Sequence, residues 1–312
     1  MSEQYTSSKK KVVITGASGF LGRQVVKRLA GDESFLVYAL TSRPDELKDT
    51  AGNKSDNIVF EHKDAIDGDE ADKILSGSIV IACAYPRGSA GEDIADGLNY
   101  IRRTFEAAVM HEAMAIINIS SQSVYSQKRE GAAAEDAPVC PESMYAVGKY
   151  AMELLLESIC KGSVTTYTNI RMASLIGPGF DQRIVNRFVK QALDTGKLSV
   201  SHSSRRFSFL DVEDAVSGIA AILATDPGKW EKVYNLGNRD SYTVSDIASA
   251  VKGVLEREGT GDICIEEHEG DEKGSSELDC TLFEKDVVRL KYRTLEESIE
   301  EIFKRVQGMN ES

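Results

Sequence analysis

Residues 12–22, with the sequence VVITGASGFLG, constrain the fold of this chain more than any other stretch. A β-branched run typical of a buried strand ends in Gly16, Gly19 and Gly22, and an amphipathic helix pattern follows. Gly16 permits a tight strand-to-helix turn, Gly19 lets the backbone approach a diphosphate, and Gly22 lets the helix pack closely on the sheet. The N–H groups at the start of such a helix also favour an anion. The stretch therefore predicts a dinucleotide site whose contacts are Gly16, Ser18, Gly19, Phe20, Leu21 and Gly22.

Composition limits the other function classes. The chain has 312 residues and a net charge of −13, which argues against nucleic-acid binding because phosphate contacts need basic patches. The start, MSEQY, is too polar for a signal peptide, and the sequence has no run of apolar residues long enough to cross a membrane. The five cysteines have no paired spacing, so we expect neither disulfides nor a metal site. We expect a cytoplasmic protein.

Strand and helix patterns alternate through the first half of the chain. We predict strands at 11–15, 35–41, 57–61, 78–83, 115–121 and 164–171, with helices at 20–30, 66–75, 93–113 and 142–161. Such alternation predicts a parallel sheet with helices on both faces. The pattern is looser after residue 179. There we predict helices at 181–195, 211–225, 244–257 and 294–306, short strands near 198 and at 262–266, and an acidic mobile loop over 266–279. Thr294 and Glu297 form a capping box for the last helix.

A tyrosine and a lysine in the fourth predicted helix suggest acid/base chemistry. Tyr145 and Lys149 are four residues apart, on one helical face, and Ser121 ends the fifth strand at the edge where parallel sheets bind ligands. A lysine ammonium and an oxidised nicotinamide would lower the pKa of the phenol, with a shift of ~3 units needing roughly 4 kcal/mol. A second Tyr-x-x-x-Lys pair, Tyr5 and Lys9, lies in the polar N-terminal tail, and we interpret it as coincidental. The alternative interpretation of Ser121 and the serines beside it is that they only form a turn at the end of the strand.

These motifs together resemble the extended short-chain dehydrogenase/reductase superfamily, in its NAD-dependent epimerase/dehydratase branch. The resemblance covers roughly residues 11–306 and rests on the following segments: TGASGFLG at 15–22, Ser121 with Val124-Tyr125, Tyr145 with Lys149, GPG at 177–179, DVEDA at 211–215 and YNLG at 234–237. It implies an α/β chain with a Rossmann-type doubly wound parallel sheet and a smaller C-terminal α/β substrate-binding cap. The expected boundaries are a disordered tail at 1–10, an NAD(P)-binding domain at 11–175 with a return segment near 205–240, and a cap formed by 176–204 and 241–312.

The resemblance also implies roles for individual residues. Ser121 would orient the substrate, Tyr145 would be the acid/base, and Lys149 would bind the ribose and tune Tyr145. Further cofactor contacts are expected from Asp64, Ala65, Ala82, Cys83, Ala84, Tyr145, Lys149 and Arg171, and substrate contacts from Tyr85, Ser123, Ser174 and Arg206. The expected substrate is a nucleotide sugar. The family expectation is a homodimer formed by the helices near 93–113 and 142–161.

The end of the second predicted strand bears on the choice of cofactor. Roughly 20 residues past the glycines, NAD-dependent proteins place a carboxylate on the ribose 2′-hydroxyl. Here the residues are Thr41, Ser42 and Arg43, and the arginine is suited to pairing with a 2′-phosphate. We therefore favour NADP over NAD. The alternative interpretation of Arg43 is that it only begins a solvated loop.

Departures from the family pattern bear on the reaction and the substrate. Gln122 and Ser123 stand where 4,6-dehydratases carry an acidic pair, so we do not expect dehydration. Epimerisation through a transient ketone and reduction of a keto-sugar both remain compatible with the sequence. Phe207 replaces an arginine that usually binds the nucleotide diphosphate, with Arg205 and Arg206 as possible substitutes. Gly97 replaces an asparagine, and Met172 and Ser174 replace a proline and an asparagine. A non-nucleotide carbonyl substrate and a non-catalytic NADP-binding sensor therefore remain as alternatives.

Overall fold

The computed structural model describes residues 9–50, 55–86 and 91–308. Most of the predicted N-terminal tail, including Tyr5, lies outside these residues. The tail prediction is wrong at its last position, because Lys10 already pairs with Phe35 in the first parallel strand pair. The chain divides into two compact units, of which unit 1 comprises 1–120, 148–169 and 223–232 and unit 2 comprises 121–147, 170–222 and 233–312.

The sheets contain the strands β1 (Lys10–Thr15), β2 (Phe35–Thr41), β3 (Ile58–His62), β4 (Ile79–Ala82), β5 (Ala115–Ser121), β6 (Thr166–Met172), β7 (Ser174–Ile176), β8 (Lys197–His202), β9 (Phe207–Asp211), β10 (Val233–Leu236), β11 (Ser241–Tyr242) and β12 (Cys264–Glu269). A seven-stranded sheet has the order β10-β6-β5-β4-β1-β2-β3. Smaller sheets have the orders β11-β9-β7 and β12-β8. The predicted Rossmann-type α/β class is confirmed.

The helices are α1 (Phe20–Ala30), α2 (Pro44–Thr50), α3 (Ala71–Leu75), α4 (Gly91–Met110), α5 (Met144–Cys160), α6 (Ile184–Thr195), α7 (Val212–Leu223), α8 (Val244–Arg257), α9 (Thr281–Asp286) and α10 (Leu295–Val306). Short 3-10 turns occur at Lys63–Asp67, Gln122–Val124 and Pro227–Lys229.

Strand β1 lies inside the parallel sheet, between β4 and β2, and its burial explains the strand pattern at the start of the chain. Val12 pairs with Val37 on one side and with Ile79 on the other. Val12, Val13 and Ile14 are fully buried. A strand covered on both faces needs apolar residues at consecutive positions, which is why it appears in the sequence as a continuous run rather than an alternating one.

Unit 2 has its own apolar core beneath the two small sheets. Side chains of α6, α8 and α10 interlock there, with Val189, Val251 and Ile299 all fully buried. Helix α10 begins with the predicted capping box, which is confirmed: the Thr294 N–H donates to Glu297 Oε2 at 2.8 Å, and the Glu297 N–H donates to Thr294 Oγ1 at 3.2 Å. The reciprocal bonds satisfy two N–H groups that a helix start leaves without partners.

Several elements differ from the sequence prediction. The helix expected over 66–75 is a 3-10 turn followed by the short α3, because Gly68 separates the two. The loop expected over 266–279 begins as a strand, since β12 continues to Glu269 in parallel register with β8. The short elements α2, β7, β9, β10 and α9 were not predicted, nor was the two-residue β11. Segments of two to seven residues carry too few side chains to establish a periodicity.

Candidate active site

The glycine-rich turn of unit 1 has the geometry that close packing requires. Gly16 has φ of +64°, and a Cβ added there would lie 2.7 Å from the backbone nitrogen of Ala84. A Cβ at Gly22 would lie 2.3 Å from the carbonyl oxygen of Gly16, and one at Gly19 would lie 3.0 Å from the same atom. The Gly19 N–H donates to that carbonyl at 2.8 Å, and no side chain caps the start of α1. This backbone cradle, which any Cβ would fill, fits a dinucleotide diphosphate.

The cradle opens into a cleft of about 480 Å³. Its walls include most of the cofactor contacts predicted for the glycine turn, for the end of β2 and for the end of β4, together with seven residues that were not predicted as contacts: Leu40, Lys63, Pro86, Asp96, Gly97, Tyr100 and Ile101. The lining residues are Gly16, Ser18, Gly19, Leu40, Thr41, Ser42, Arg43, Lys63, Cys83, Ala84, Tyr85, Pro86, Asp96, Gly97, Tyr100 and Ile101. The predicted contacts Phe20, Leu21, Gly22, Asp64, Ala65 and Ala82 are not among these lining residues.

The end of β2 carries no carboxylate toward the cleft. Thr41 is buried and its hydroxyl donates to Ser18 Oγ at 2.9 Å, which ties β2 to the glycine turn. Arg43 is half exposed and pairs with Glu46 of α2 at 2.9 Å. Lys63 lines the same cleft as Arg43, so two cations face this end of the site.

Asp64 is held in an ion cluster beside the cleft. Its carboxylate accepts from Lys63 at 2.9 Å and from Arg103 at 3.0 Å. The Lys63 bond is the largest effect that lowers the pKa of Asp64. A carboxylate that is ionised and half exposed remains able to accept further hydrogen bonds, as the predicted cofactor contact requires.

Gly97 faces a side chain that accounts for one departure from the family pattern. A Cβ at Gly97 would lie 2.5 Å from Cγ of Pro86 and 2.6 Å from its Cδ. Pro86 therefore occupies the space where an asparagine side chain would begin. The Ala84 N–H donates to Thr15 Oγ1 at 3.3 Å and fixes the backbone after β4.

Lys149 is buried on α5 among residues of unit 1. Its ammonium donates to the carbonyl of Ile119 at 2.8 Å and lies 4.3 Å from the ring centroid of Tyr85. Burial lowers the pKa of Lys149 to about 8, against opposing effects from Cys83 and Glu153. Tyr85, predicted as a substrate contact, thus has its ring over the ammonium of a predicted catalytic residue.

Ser121, Ser123 and Tyr145 come together in unit 2. Ser123 Oγ lies 2.9 Å from Ser121 Oγ, and the Ser121 side chain is hydrogen-bonded to that of Tyr145. Tyr145 is 41% exposed, yet burial around its hydroxyl is the largest effect on its pKa and raises it. The Ser121 bond and the Arg183 guanidinium act in the opposite direction. The protein by itself thus raises the pKa of Tyr145, and the predicted lowering would need the charge of an oxidised nicotinamide.

Gln122 follows Ser121 and is fixed by a neighbouring amide. It is buried, and its side-chain oxygen accepts from Gln127 Nε2 at 3.1 Å. An amide in this position has no proton that titrates near neutral pH.

Arg171, predicted as a cofactor contact, lies in a buried network. Its guanidinium donates to the Tyr125 hydroxyl at 2.8 Å and to the Glu135 carbonyl at 3.1 Å. The same hydroxyl donates to Asn235 Oδ1 at 2.9 Å. These contacts join β6, β10 and the segment after β5, and they give Arg171 a structural role within unit 2.

The two adjacent arginines before β9 differ in their contacts. Arg206, predicted as a substrate contact, donates to Ser241 Oγ at 2.7 Å and to the Ser241 carbonyl at 2.6 Å. Arg205 lies 5.3 Å from the Phe207 ring centroid and 3.9 Å from the Glu272 carboxylate, and its buried Nε has no hydrogen-bond partner in the described part of the chain. Ser174 begins β7 and pairs with Phe209. Arg205 is therefore the arginine of the pair with an unused donor.

Two side chains near the predicted catalytic residues had been missed. Glu153 lies one helical turn beyond Lys149 and accepts from the Ser120 hydroxyl, and Arg183 precedes α6. The four-residue spacing from Lys149 is a visible signal for Glu153. Arg183 has no such signal, because its proximity to Tyr145 arises only from the folding of unit 2.

Comparison with protein families gives a decisive match. The model of the "NAD dependent epimerase/dehydratase family" matches residues 12–237, from β1 through β10. The chain belongs to this family. The match spans the glycine turn, the serines that end β5, and Tyr145 with Lys149.

Curated relatives within the family are distant. A dTDP-glucose 4,6-dehydratase from Streptomyces griseus is 25% identical over 72% of this chain and 73% of its own length. An uncharacterised UDP-glucose epimerase from Bacillus subtilis is 25% identical over 80% of this chain and 84% of its own length. Among solved structures, the UDP-glucuronic acid 4-epimerase from Bacillus cereus, in complex with UDP-glucuronic acid and NAD, has a TM-score of 0.81 and 20% identity. It covers 96% of this chain and 99% of its own, and so shares the fold.

Within residues 9–50, 55–86 and 91–308, no group of three or more histidine, cysteine, aspartate and glutamate side chains is arranged to hold a metal ion. Over the same residues, no helix is both long enough and apolar enough to cross a membrane.

Proposed function

We propose that this chain is a nucleotide-sugar epimerase or 4-keto-sugar reductase in which Tyr145 is the acid/base. The single observation that carries this proposal is the hydrogen bond between the side chains of Ser121 and Tyr145. A hydroxyl that already touches the phenol can hold a sugar hydroxyl or carbonyl against it. Helix α5 carries Lys149 one turn after Tyr145, which supports a joint role for the two residues.

The bound NAD(P) would supply hydride transfer to or from a carbon of the sugar. Tyr145 would take the proton of the sugar hydroxyl during oxidation and return it during reduction. Ser121 would orient that oxygen by hydrogen bonding, and the Lys149 ammonium would favour the ionised phenol. We infer that the segments 176–204 and 241–312 bind the nucleotide sugar.

We propose that the reaction does not include dehydration. Eliminating water requires a group that protonates the leaving hydroxyl and another that removes a carbon-bound proton. Gln122 is an amide held by Gln127, and the Ser123 hydroxyl is bonded to Ser121. Neither side chain supplies these functions, although dehydratases are among the relatives of the chain.

We propose NADP(H) as the preferred cofactor. Thr41 stands where a carboxylate would select the 2′-hydroxyl of NAD, and its own hydroxyl is bonded to Ser18. Arg43 and Lys63 line the same cleft and could neutralise a 2′-phosphate. The Glu46 partner of Arg43 is exposed, so the guanidinium can exchange this ion pair for a phosphate at small cost.

Arg43→Ala is expected to weaken NADPH binding roughly 10-fold or more, because a charge-assisted hydrogen bond contributes about 1.5–3 kcal/mol. NADH affinity should change little, since NADH lacks the 2′-phosphate. Both affinities are measured by fluorescence titration. Lys48→Ala removes an exposed cation from the same helix region outside the cleft and should leave both affinities unchanged. Equal losses for NADPH and NADH in Arg43→Ala would contradict the assignment.

We infer that Arg205, rather than Arg206, contacts the diphosphate of the nucleotide sugar. The Arg206 guanidinium is occupied by Ser241, and Glu277 lies 3.9 Å away. Arg205 has a carboxylate at the same distance, that of Glu272 at 3.9 Å, but its buried Nε has no hydrogen-bond partner among the described residues. A guanidinium with an unused donor matches phosphate geometry.

The proposed function is tested by incubating the purified protein with UDP-, dTDP- and GDP-sugars while following cofactor absorbance and sugar products. An epimeric sugar formed without net change in cofactor identifies an epimerase. Stoichiometric consumption of NADPH with a keto-sugar identifies a reductase. Turnover of a non-nucleotide carbonyl alone would replace the substrate assignment, and NADPH binding without any turnover would support a non-catalytic sensor.

A further inference from the structure

Helix α5 buries a second charged side chain one turn beyond Lys149. Lys149 and Glu153 are each 4% exposed, and both belong to unit 1. Their four-residue spacing places them on the same helical face. Burying a carboxylate is costly, because removing an ion from water is unfavourable unless another charge or hydrogen bonds compensate.

Glu153 is anchored to the end of strand β5. The Ser120 hydroxyl donates to Glu153 Oε1, and the preceding carbonyl, that of Ile119, accepts from Lys149 Nζ at 2.8 Å. Ser121, the next residue along the strand, is hydrogen-bonded to Tyr145. Three consecutive strand residues thus contact Glu153, Lys149 and Tyr145, all on α5.

The groups that face the Lys149 ammonium differ in the charge they provide. Burial lowers the pKa of Lys149 to about 8, and Cys83 and then Glu153 act against this. A thiol raises the pKa of a nearby ammonium only when the thiol is ionised, and burial raises the pKa of Cys83 to about 12. The Tyr85 ring presents its face to the ammonium and carries no net charge there. Of these three groups, Glu153 is the one that carries a carboxylate.

We propose that Glu153 is a positioning residue for catalysis: its buried carboxylate, anchored by Ser120, is the counter-charge that keeps Lys149 protonated and directed at the end of β5. This proposal rests on the proposed function, because it assumes that the ammonium of Lys149 is the active form. It assigns to Glu153 no contact with substrate or cofactor.

Glu153→Gln is expected to move the alkaline limit of kcat to lower pH by about one to two units, since loss of one nearby charge destabilises the ammonium. At pH 8 the fall in kcat should be roughly 10-fold, with KM for the sugar nearly unchanged. The titration of Lys149, followed by NMR of the labelled lysine ammonium, should shift by the same amount in the absence of substrate and cofactor.

Matched variants separate this role from a structural one. Glu157→Gln removes an exposed carboxylate one turn further along α5 and should leave the pH profile unchanged. Glu153→Asp keeps the charge and should restore most of the profile, while Ser120→Ala should shift it less than Glu153→Gln does. If Glu153→Gln does not fold, the pH profiles and Lys149 titrations of Glu153→Asp and Ser120→Ala are compared with those of the wild type instead.

Lower activity in Glu153→Gln with an unchanged Lys149 titration would overturn the proposal, and so would a profile identical to that of the wild type. The NMR readout does not depend on turnover. A shifted Lys149 titration in a protein that turns over no sugar would uphold the pairing and reject the proposed function instead.

Discussion

Tyr145→Phe is expected to lower kcat by roughly 10²–10⁴-fold, the range associated with loss of a general acid/base. The substitution removes one hydroxyl that is hydrogen-bonded to Ser121 and leaves a ring of nearly the same volume. Substrate KM and NADPH affinity should therefore change by no more than a few-fold. Steady-state kinetics with the best sugar from the substrate screen give kcat, and fluorescence titration gives the cofactor affinity.

Tyr150→Phe provides the matched control, because Tyr150 lies on the same helix and does not share the position of Tyr145 relative to Ser121. We expect it to retain nearly full activity. Retention of wild-type kcat in Tyr145→Phe would reject the acid/base assignment and, with it, the proposed mechanism.

Gly22→Ala is expected to destabilise the protein by about 3 kcal/mol and to abolish measurable cofactor binding. The new Cβ would lie 2.3 Å from the carbonyl oxygen of Gly16 and 2.9 Å from its carbonyl carbon. Both are backbone atoms of the tight turn, so relief requires α1 or the turn itself to move. The midpoint of urea unfolding and an NADPH titration measure the two effects.

Gly253→Ala should change stability in the opposite direction. Gly253 is a helical glycine in α8 whose added Cβ would meet nothing within 4 Å. Since alanine is favoured over glycine in helix interiors by about 0.8–1 kcal/mol, the variant should be more stable than the wild type. A similar destabilisation in both variants would show that the crowding at Gly22 has little influence.

Six of the seven strands of the parallel sheet could be predicted from the sequence, because each is a compact apolar run between helical patterns, whereas β10 was not predicted. The predicted and observed bounds of α1 and of α8 agree at both ends, and β5 is found at the predicted residues 115–121. In unit 2, β7 and β9 are short and pair with each other, so their existence depends on contacts that no local pattern carries. Tertiary pairing decides such segments more than propensity does.

The residues of the candidate site also fall into those that local motifs predict and those whose contacts depend on distant parts of the chain. Ser121, Tyr145 and Lys149 were predicted from local motifs, and the structure adds a hydrogen bond between the first two. The contacts of Arg206 depend on Ser241, 35 residues further along, and those of Arg171 on Glu135, 36 residues earlier. The Tyr145 pKa also departs from the expectation, since the cost of burying the phenol cannot be read from residue spacing.

The contact between Gly97 and Pro86 makes the two positions interdependent during divergence within the family. An asparagine introduced at position 97 beside Pro86 would be crowded, because its Cβ would lie 2.5 Å from Cγ of the proline ring. Replacement of Pro86 by a smaller residue must come first. The order of mutations is therefore constrained at the wall of this cleft. Introducing the asparagine of the family pattern at position 97 requires a second substitution, at Pro86.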